Sequence, residues 1–275
     1  MTATLLDGKG LAQKIQQELK ENIEKLATKP GLAVLLVGND PASHIYVGKK
    51  EEACKEVGIA FTKHLLEEET TEEEIKKLII KLNADTTIHG ILVQLPLPKH
   101  LDTKNILAMI EPTKDVDGIT PNMLERVTAK EETFAPCTPK GIIKLLEEYA
   151  IPLKGKHAVI INRSNIVGKP LSIMLLNRNA TVTICHSQTQ NIKEKTKEAD
   201  ILISAIGKSH FITADMVKEG AVVIDVGISR VDGKVKGDVD FESVSKKASF
   251  LTPVPGGIGP LTVVCLFRNL VRLAK

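Results

Sequence analysis

The chain has 275 residues and a mass of 29.9 kDa, which is long for one hydrophobic core and favours two domains at roughly 150 residues each. Hydrophobic residues make up 43% and charged residues 26%, which is typical of a folded globular protein and excludes disorder or a fibre. The formal net charge is +3, aromatic residues make up 3%, and no basic block alternates with aromatics, so we expect no nucleic-acid partner.

The apolar runs and the cysteines exclude two further classes of protein. Runs such as Leu32 to Val37 are far shorter than the roughly 18 residues that a membrane span needs, and no signal peptide opens the chain. We therefore expect a cytoplasmic protein with no membrane partner. The four cysteines lie too far apart for metal-ligand pairs and are too few for a disulfide scaffold, so we expect reduced, mostly buried thiols and no metal.

The first half of the chain alternates helix and strand signals. An apolar stripe at helical spacing is stopped by Pro30 and Gly31, and Thr71 with Glu74 forms a capping box for a later helix. The predicted elements are a helix over Leu11 to Leu26, a buried strand over Leu32 to Val37, a helix from about Ser43, the capped helix from Thr71, and a strand over Ile88 to Gln94 that ends before Leu95-Pro96-Leu97-Pro98.

A domain boundary is predicted at Pro136 to Pro139, where Thr138 can cap a helix over Lys140 to Tyr149 that has Pro139 in its first position. Later strands are predicted at His157 to Asn162, Thr181 to Cys185, Ile201 to Ala205 and Val222 to Val226, and a last helix at Leu261 to Ala274. This pattern predicts the α/β class: two α/β domains around a cleft, residues 1–138 completed by a returning C-terminal helix at 261–275, and residues 139–260 as a Rossmann-type parallel sheet.

One candidate cofactor site follows the first strand of the second domain. The segment Asn162 to Pro170 lies between a strand and a helix, where backbone N–H groups and the positive helix end can bind a pyrophosphate. It is not glycine-rich, so alone it also fits an ordinary turn. The polar run His186 to Thr189 lacks the acid that selects NAD, and Arg163 can hold a 2′-phosphate as a planar fork, which favours a dinucleotide site.

Candidate catalytic residues lie in the first domain. Tyr46 and Lys50 share one helix face, which fits a surface pair or a catalytic pair; short-chain dehydrogenases carry the same spacing, but after their glycine loop. Gln94 ends a buried strand, where an amide can bind a ligand, orient a lysine or simply satisfy a loop. Asp115 to Gly118 fits a turn better than a cation site.

Five segments, in this order, carry a resemblance that covers nearly the whole chain: Ser43 to Lys50, Gly90 to Pro98, Lys114 to Gly118, Arg163 to Pro170, and Pro253 to Pro260. Together they resemble the bifunctional methylenetetrahydrofolate dehydrogenase/methenyltetrahydrofolate cyclohydrolase family, called FolD in bacteria. The resemblance implies oxidation of 5,10-methylenetetrahydrofolate with NADP, then hydrolysis of the methenyl product to 10-formyltetrahydrofolate.

The resemblance also implies site residues and partners. Lys50 is expected to be catalytic, Gln94 to tune it, Tyr46 to stack on the pterin and Asp117 to anchor it by hydrogen bonds. The remaining expected contacts are Leu95, Pro255, Gly256 and Gly257 to folate, and Asn162, Arg163, Ser164, Ile166, Ser187 and Ile228 to NADP. Tetrahydrofolate derivatives are the expected partners, with a second copy of the chain in a homodimer.

Four positions depart from the family pattern. Asn162 replaces a usual glycine and is expected to crowd the cofactor turn, while Gln188 replaces a common basic residue and removes a phosphate partner. Lys208 and Ser209 differ from the commoner small or proline residues.

The implied chemistry constrains Lys50. Loss of hydride leaves positive charge on the folate, which a protonated lysine would oppose, so we expect burial and a neutral partner to lower the pKa of this lysine. Two alternatives remain: a shikimate-dehydrogenase-like oxidoreductase and a catalytically silent folate- or nucleotide-binding module. The apolar strand Val222 to Val226 indicates either a dimer interface or an internal strand.

Overall fold

The computed structural model describes residues 2–275 and divides into two compact units. The first unit comprises Lys14–Met123 and Val263–Lys275. The second unit comprises the described residues up to Gln13 and Leu124–Thr262.

The elements alternate along the chain as an α/β protein requires. The helices are α1 (Gly8–Glu24), α2 (Pro41–Val57), α3 (Glu72–Ala84), α4 (Thr103–Ala108), α5 (Met123–Thr128), α6 (Cys137–Glu148), α7 (Gly168–Leu176), α8 (Ile192–Lys197), α9 (Phe241–Val244) and α10 (Ile258–Leu273). The strands are β1 (Thr4–Leu5), β2 (Gly31–Val37), β3 (Ala60–Leu66), β4 (Gly90–Val93), β5 (His157–Ile161), β6 (Thr181–Cys185), β7 (Ile201–Ser204), β8 (Val222–Asp225), β9 (Ser229–Val231), β10 (Lys234–Lys236) and β11 (Phe250–Leu251). Short 3-10 helices cover Glu132–Phe134 and Ala214–Met216.

The first unit is built on a parallel sheet with strand order β3-β2-β4. Every residue of β2 is buried, as its continuous apolar run predicts for a central parallel strand. The end of α10 belongs to this unit, where the Asn269 side chain donates to the Val116 carbonyl at 2.8 Å. A Cβ at Gly90 would collide with Val116 and press on Leu270, so this strand residue must be glycine for the elements to approach.

The second unit is built on a six-stranded parallel sheet with strand order β1-β11-β8-β7-β5-β6. Chain order reverses at β5, which lies between the next two strands along the chain, β6 and β7. Open α/β sheets bind ligands at such a switch point, beyond the carboxyl ends of the strands. β8 pairs on both sides and is fully buried, so the internal-strand interpretation of Val222 to Val226 is confirmed.

Several predicted elements differ in detail from the structure. The helix predicted from Ser43 begins at Pro41, because Asp40 is its N-cap and accepts the Ser43 N–H at 2.8 Å. The predicted Thr138 cap is wrong: α6 begins at Cys137, and the Thr138 hydroxyl instead lies 3.2 Å from that of Thr262. The capping box of Thr71 and Glu74 is confirmed.

Four predicted strands are trimmed in the structure, and several elements were not predicted: β1, β3, β11, α4, α5, α9 and the hairpin of β9 and β10. β4, β5, β7 and β8 are each shorter than predicted by one or a few residues at their ends. The hairpin of β9 and β10 went unpredicted, although Asp232-Gly233 between short alternating runs is a strong turn signal and both residues have positive φ. The last helix was predicted to begin at Leu261 and begins at Ile258.

The prediction of mostly buried thiols is confirmed, since Cys54, Cys137, Cys185 and Cys265 are all free and buried. Within residues 2–275, no helix is long and apolar enough to cross a membrane.

Candidate functional site

Lys50 and Gln94, which come from different elements of the first unit, meet in the structure. Lys50 lies in α2, and its Nζ donates to Gln94 Oε1 at 2.7 Å. Gln94 follows β4 directly, and its Nε2 donates to the Leu95 carbonyl at 2.7 Å, which turns its oxygen toward the lysine. Both side chains are half-buried. The amide oxygen is therefore a neutral acceptor for the amine.

The neighbours of Lys50 on α2 have distinct environments. Tyr46 lies one helical turn before Lys50 and is 36% exposed, so its ring is available to a planar ligand. Cys54 lies one turn after Lys50 and is fully buried, and burial raises the pKa of its thiol to about 12. This thiol stays protonated near neutral pH and is not a nucleophile.

The segment Lys114 to Gly118 forms a buried turn. The Asp115 carboxylate accepts the N–H groups of Gly118, Ile119 and Thr120 at 2.9 to 3.3 Å. Lys114 Nζ donates to the carbonyls of Leu82 and Asp85 at 2.8 and 2.7 Å, and burial lowers its pKa. These bonds confirm the turn interpretation of this segment.

Asp117 lies in that turn and is half-buried. A parallel bridge joins Asp115 to Ile91 of β4, so the two segments run in the same direction. Asp117 and Gln94 therefore both lie beyond this bridge, toward the carboxyl edge of the first sheet.

The loop Pro253 to Pro260 packs against the start of α1 within the second unit. The Lys9 N–H donates to the Gly256 carbonyl at 2.8 Å, and Gly256 has a φ of 112°, which favours glycine. A Cβ at Gly8 would collide with the Gly257 carbonyl. Pro255 is exposed, whereas Gly257 is buried.

The turn between β5 and α7 is organised by the side chain of Asn162. Its Oδ1 accepts the N–H groups of Ser164 and Gly168 at 2.8 and 3.0 Å, and its Nδ2 donates to the Ala205 carbonyl after β7. The Ser164 hydroxyl accepts the Val167 N–H at 3.1 Å. The amide that was expected to crowd the turn is instead part of its hydrogen-bond network.

The other predicted cofactor contacts lie at the carboxyl ends of three strands. Arg163 follows β5, Ser187 follows β6 and Ile228 follows β8, and all three are exposed. The turn at the end of β6 is closed by a 2.8 Å bond from the His186 N–H to the Thr189 hydroxyl, and Gln188 is exposed within it. This edge therefore presents a cation, a hydroxyl and an apolar side chain near the switch point, which is where open α/β sheets bind ligands.

Sequence reasoning missed two buried carboxylates at the same edge. Asp225 and Asp238 are 3% and 0% exposed. Asp225 stands in the apolar run Val-Val-Ile-Asp-Val, and an acid in such a run is a signal that could have identified it. Asp238 stands in Gly-Asp-Val-Asp, which carries no comparable signal.

A cavity of about 240 Å³ lies elsewhere, at the amino ends of β5, β7 and β8, and none of the predicted site residues lines it. Among the residues that the structure describes, no group of three or more His, Cys, Asp or Glu side chains could hold a metal ion.

Comparison with known proteins establishes the family of this chain. A model of the tetrahydrofolate dehydrogenase/cyclohydrolase catalytic domain matches residues 6–117, and a model of the NAD(P)-binding domain of the same family matches residues 136–275. The chain belongs to the tetrahydrofolate dehydrogenase/cyclohydrolase family. The bifunctional protein FolD of Halalkalibacterium halodurans is 55% identical, with all of both chains covered.

Two solved structures agree with this assignment. The crystal structure of bifunctional FolD from Campylobacter jejuni has a TM-score of 0.97 and 50% identity over 99% of each chain. The FolD of Trypanosoma brucei, solved with NADP and an inhibitor, has a TM-score of 0.95 and 34% identity over 100% of this chain and 98% of that one.

Membership in this family tests several of the predictions made from the sequence. The predicted family, the α/β fold class, the bifunctional dehydrogenase and cyclohydrolase, and a nicotinamide dinucleotide cofactor are confirmed. The shikimate-dehydrogenase-like alternative is excluded. The individual site residues stay predictions.

Proposed function

We propose that this chain oxidises 5,10-methylenetetrahydrofolate to the 5,10-methenyl compound with NADP and hydrolyses that product to 10-formyltetrahydrofolate, in one-carbon metabolism. Lys50 is the central residue of both steps. The observation that carries this assignment is the 2.7 Å bond from Lys50 Nζ to Gln94 Oε1, within the segment that the catalytic-domain model matches.

The partner of Lys50 suits the oxidation. Loss of hydride from the methylene carbon leaves a cation spread over two folate nitrogens, and an ammonium group beside it would raise the barrier. Gln94 fixes the position of the amine without a negative charge that would stabilise its protonated form. NADP, when bound, supplies the acceptor for the hydride.

The same amine suits the hydrolysis. Water adds to the amidinium carbon, one carbon–nitrogen bond breaks, and a proton must reach the departing nitrogen. A neutral Lys50 takes one proton from the attacking water and delivers it to that nitrogen, so the residue ends as it began. The second water proton is lost to solvent as the formyl carbonyl forms, so hydrolysis of the cationic substrate releases one proton. The Gln94 contact limits the amine to a small set of orientations, which favours this transfer.

The folate contacts are assigned by chemistry. Tyr46 offers an exposed ring for stacking on the pterin, and Asp117 offers acceptors for pterin amide and amino donors. Leu95 and the loop residues Pro255, Gly256 and Gly257 complete the proposed substrate contacts.

The residues at the carboxyl edge of the second sheet fit a dinucleotide. Arg163 and Ser187 are exposed and would hold the 2′-phosphate, and Ile228 would contact the nicotinamide. The turn carrying Asn162, Ser164 and Ile166 would lie beside the pyrophosphate, with α7 beginning at Gly168.

The test is a pair of assays on the wild type and on Lys50→Met, with Lys49→Met as the matched control because Lys49 is an exposed lysine on the same helix. Wild type should form NADPH from methylenetetrahydrofolate and consume methenyltetrahydrofolate. Lys50→Met should keep its fold and its cofactor affinity and lose hydrolysis, because methionine fills the stem without moving a proton. Hydrolysis near the wild-type rate in Lys50→Met would remove Lys50 from the mechanism, and a wild type with neither activity would support the silent-module alternative.

The proposal extends to organisation. We assign folate binding and catalysis to residues 1–138 with 261–275, and cofactor binding to residues 139–260, in a cytoplasmic homodimer. Since β8 is internal, the edge strand β6, which pairs only with β5 among the described strands, is the better candidate for an interface in the second unit. Light scattering should give about twice 29.9 kDa at micromolar concentration, and a monomer mass would refute the dimer.

A further inference from the structure

Two buried carboxylates of the second unit bind backbone rather than ligand. Asp238 is fully buried; its Oδ2 accepts from the Ser204 hydroxyl and the Ile206 N–H, and its Oδ1 accepts from the Lys208 N–H, all at 2.8 Å. These donors span the loop that follows β7. One side chain therefore fixes three alternate positions along this segment, residues 204, 206 and 208.

Asp225 fixes the segment that carries Asp238. It lies at the end of β8, and its two carboxylate oxygens accept the N–H groups of Asp238 and Val239, both at 2.9 Å. Its own N–H donates to the buried Thr252 hydroxyl at 2.7 Å. Asp225 thus places Asp238, which in turn places the loop after β7.

Two glycines are required by this arrangement. A Cβ at Gly227 would overlap the Asp238 carboxylate, and a Cβ at Gly237 would overlap that of Asp225. The glycines and the carboxylates form one closely packed group, which we call the carboxylate pair. Ile228 follows Gly227, so the pair also determines where the loop after β8 leaves the sheet.

The position of the pair relates it to the cofactor. The loops after β7 and β8 lie at the carboxyl edge, on the far side of the switch point from β6. The ribose that carries the 2′-phosphate is expected at the end of β6, so the nicotinamide half must extend toward β7 and β8. The two loops adjoin, since a Cβ at Gly207 would lie 3.4 Å from the Ile228 carbonyl.

Burial of the carboxylate pair costs free energy, which is unexpected for an element with a purely structural role. Burial of Asp225, with the charge of Asp238 nearby, raises its pKa to about 7. Buried ionic groups can often be replaced by apolar side chains without loss of stability, so their presence calls for a further reason. Accurate placement of two ligand-facing loops is such a reason.

We propose that Asp225 and Asp238 are positioning residues for hydride transfer, which hold the loops after β7 and β8 in the geometry that orients the nicotinamide. This inference rests on the proposed function. It predicts that changes at the pair affect the dehydrogenase and not the cyclohydrolase. Hydrolysis of methenyltetrahydrofolate needs no cofactor, and its proposed residues Lys50 and Gln94 lie in the first unit.

The test measures both activities in Asp238→Asn. In either orientation the new NH₂ group faces a backbone N–H, that of Ile206 or that of Lys208, so the loop after β7 should shift. We expect dehydrogenase kcat/KM for NADP to fall about 10- to 100-fold, while cyclohydrolase turnover stays within about twofold of wild type. Affinity for NADP should fall, whereas affinity for 2′-phospho-ADP-ribose, which lacks nicotinamide, should not change.

The matched control is Asp200→Asn. Asp200 also accepts a backbone N–H, that of His157 at 2.9 Å, but it lies at the amino edge of the same sheet. This variant can lose stability but should keep the ratio of the two activities. If Asp238→Asn does not fold, Ser204→Ala removes a single donor to the pair and should change the ratio in the same direction by a smaller factor.

Equal losses of both activities in the folded variants, or a dehydrogenase that remains within twofold of wild type, would overturn the inference. Failure of the proposed function is distinguishable from failure of this inference, because the wild-type protein would then lack both activities.

Discussion

Replacing Gln94 with glutamate tests whether Lys50 must be neutral. The substitution keeps the length of the side chain and places a carboxylate where the amide oxygen now accepts from Lys50 Nζ at 2.7 Å. The Leu95 carbonyl, which now accepts from the Gln94 amide, would repel a carboxylate. The charge of Gln94→Glu would therefore be directed at Lys50.

The magnitude follows from the separation and from partial burial. Opposite charges about 4 Å apart attract by about 1 kcal/mol in water and about 4 kcal/mol at the effective dielectric of a protein surface. Both side chains are half-buried, so the protonated amine gains between these limits. The neutral fraction of Lys50 at a fixed pH should fall roughly 5- to 1,000-fold, and cyclohydrolase turnover with it.

The assay is the pH–rate profile of methenyltetrahydrofolate hydrolysis. Activity in Gln94→Glu should be low near pH 7 and should recover as the pH rises, because alkali restores the neutral amine. Gln17→Glu is the matched control: it adds the same charge to the exposed face of α1, in the same unit, and should leave the profile unmoved. The reasoning would be refuted if Gln94→Glu melts at the wild-type temperature and its low activity does not recover at high pH. Lys50 would then not need to be neutral.

Three further predictions concern the other acids and the cofactor cation. Asp117→Ala should weaken folate binding about 10- to 100-fold through loss of charge-assisted hydrogen bonds, and unchanged affinity by calorimetry would leave Asp117 as a turn residue only. Arg163→Ala should raise KM for NADP much more than KM for NAD, whereas equal losses would assign the guanidinium to the shared pyrophosphate or to the fold. Asp225 has a folded pKa of about 7 against an ordinary value of 3.8, so the folded state binds the extra proton and the free energy of unfolding should fall as pH rises through this window, by at most roughly 4 kcal/mol. Urea unfolding at several pH values should show a smaller slope in Asp225→Asn, and an unchanged slope would contradict the assignment.

Local signals predicted the elements whose causes are local. β2 was predicted because a central parallel strand is apolar throughout, and the start of α3 because a capping box needs only Thr71 and Glu74. The Thr138 cap failed because its hydroxyl has a partner, Thr262, more than a hundred residues away. Propensity near one residue cannot show such competition.

The candidate site likewise contains one feature that local sequence signals predict and others that depend on the tertiary fold. Helical spacing predicted that Tyr46 and Lys50 share a face, but the contact of Lys50 with Gln94 depends on how α2 packs on the first sheet. Resemblance, not spacing, linked those two residues. The carboxylate pair was missed because its partners come from four segments, which only the folded sheet brings together.

The unusual Asn162 and the carboxylate pair act on one loop. Asn162 binds the Ala205 carbonyl from the side of β5, while Asp238 binds the Ile206 and Lys208 N–H groups from the side of β8. Lys208 takes part through a backbone N–H, which a proline would not have. The loop at the switch point is thus fixed from both sides before any cofactor binds, which lowers the ordering cost of binding. Asn162 also occupies two N–H groups that could otherwise face a pyrophosphate, that of Ser164 in the turn and that of Gly168 at the start of α7. We therefore expect the choice between NADP and NAD to depend more on Arg163 than on the turn that carries Asn162, and the Arg163→Ala comparison tests this expectation.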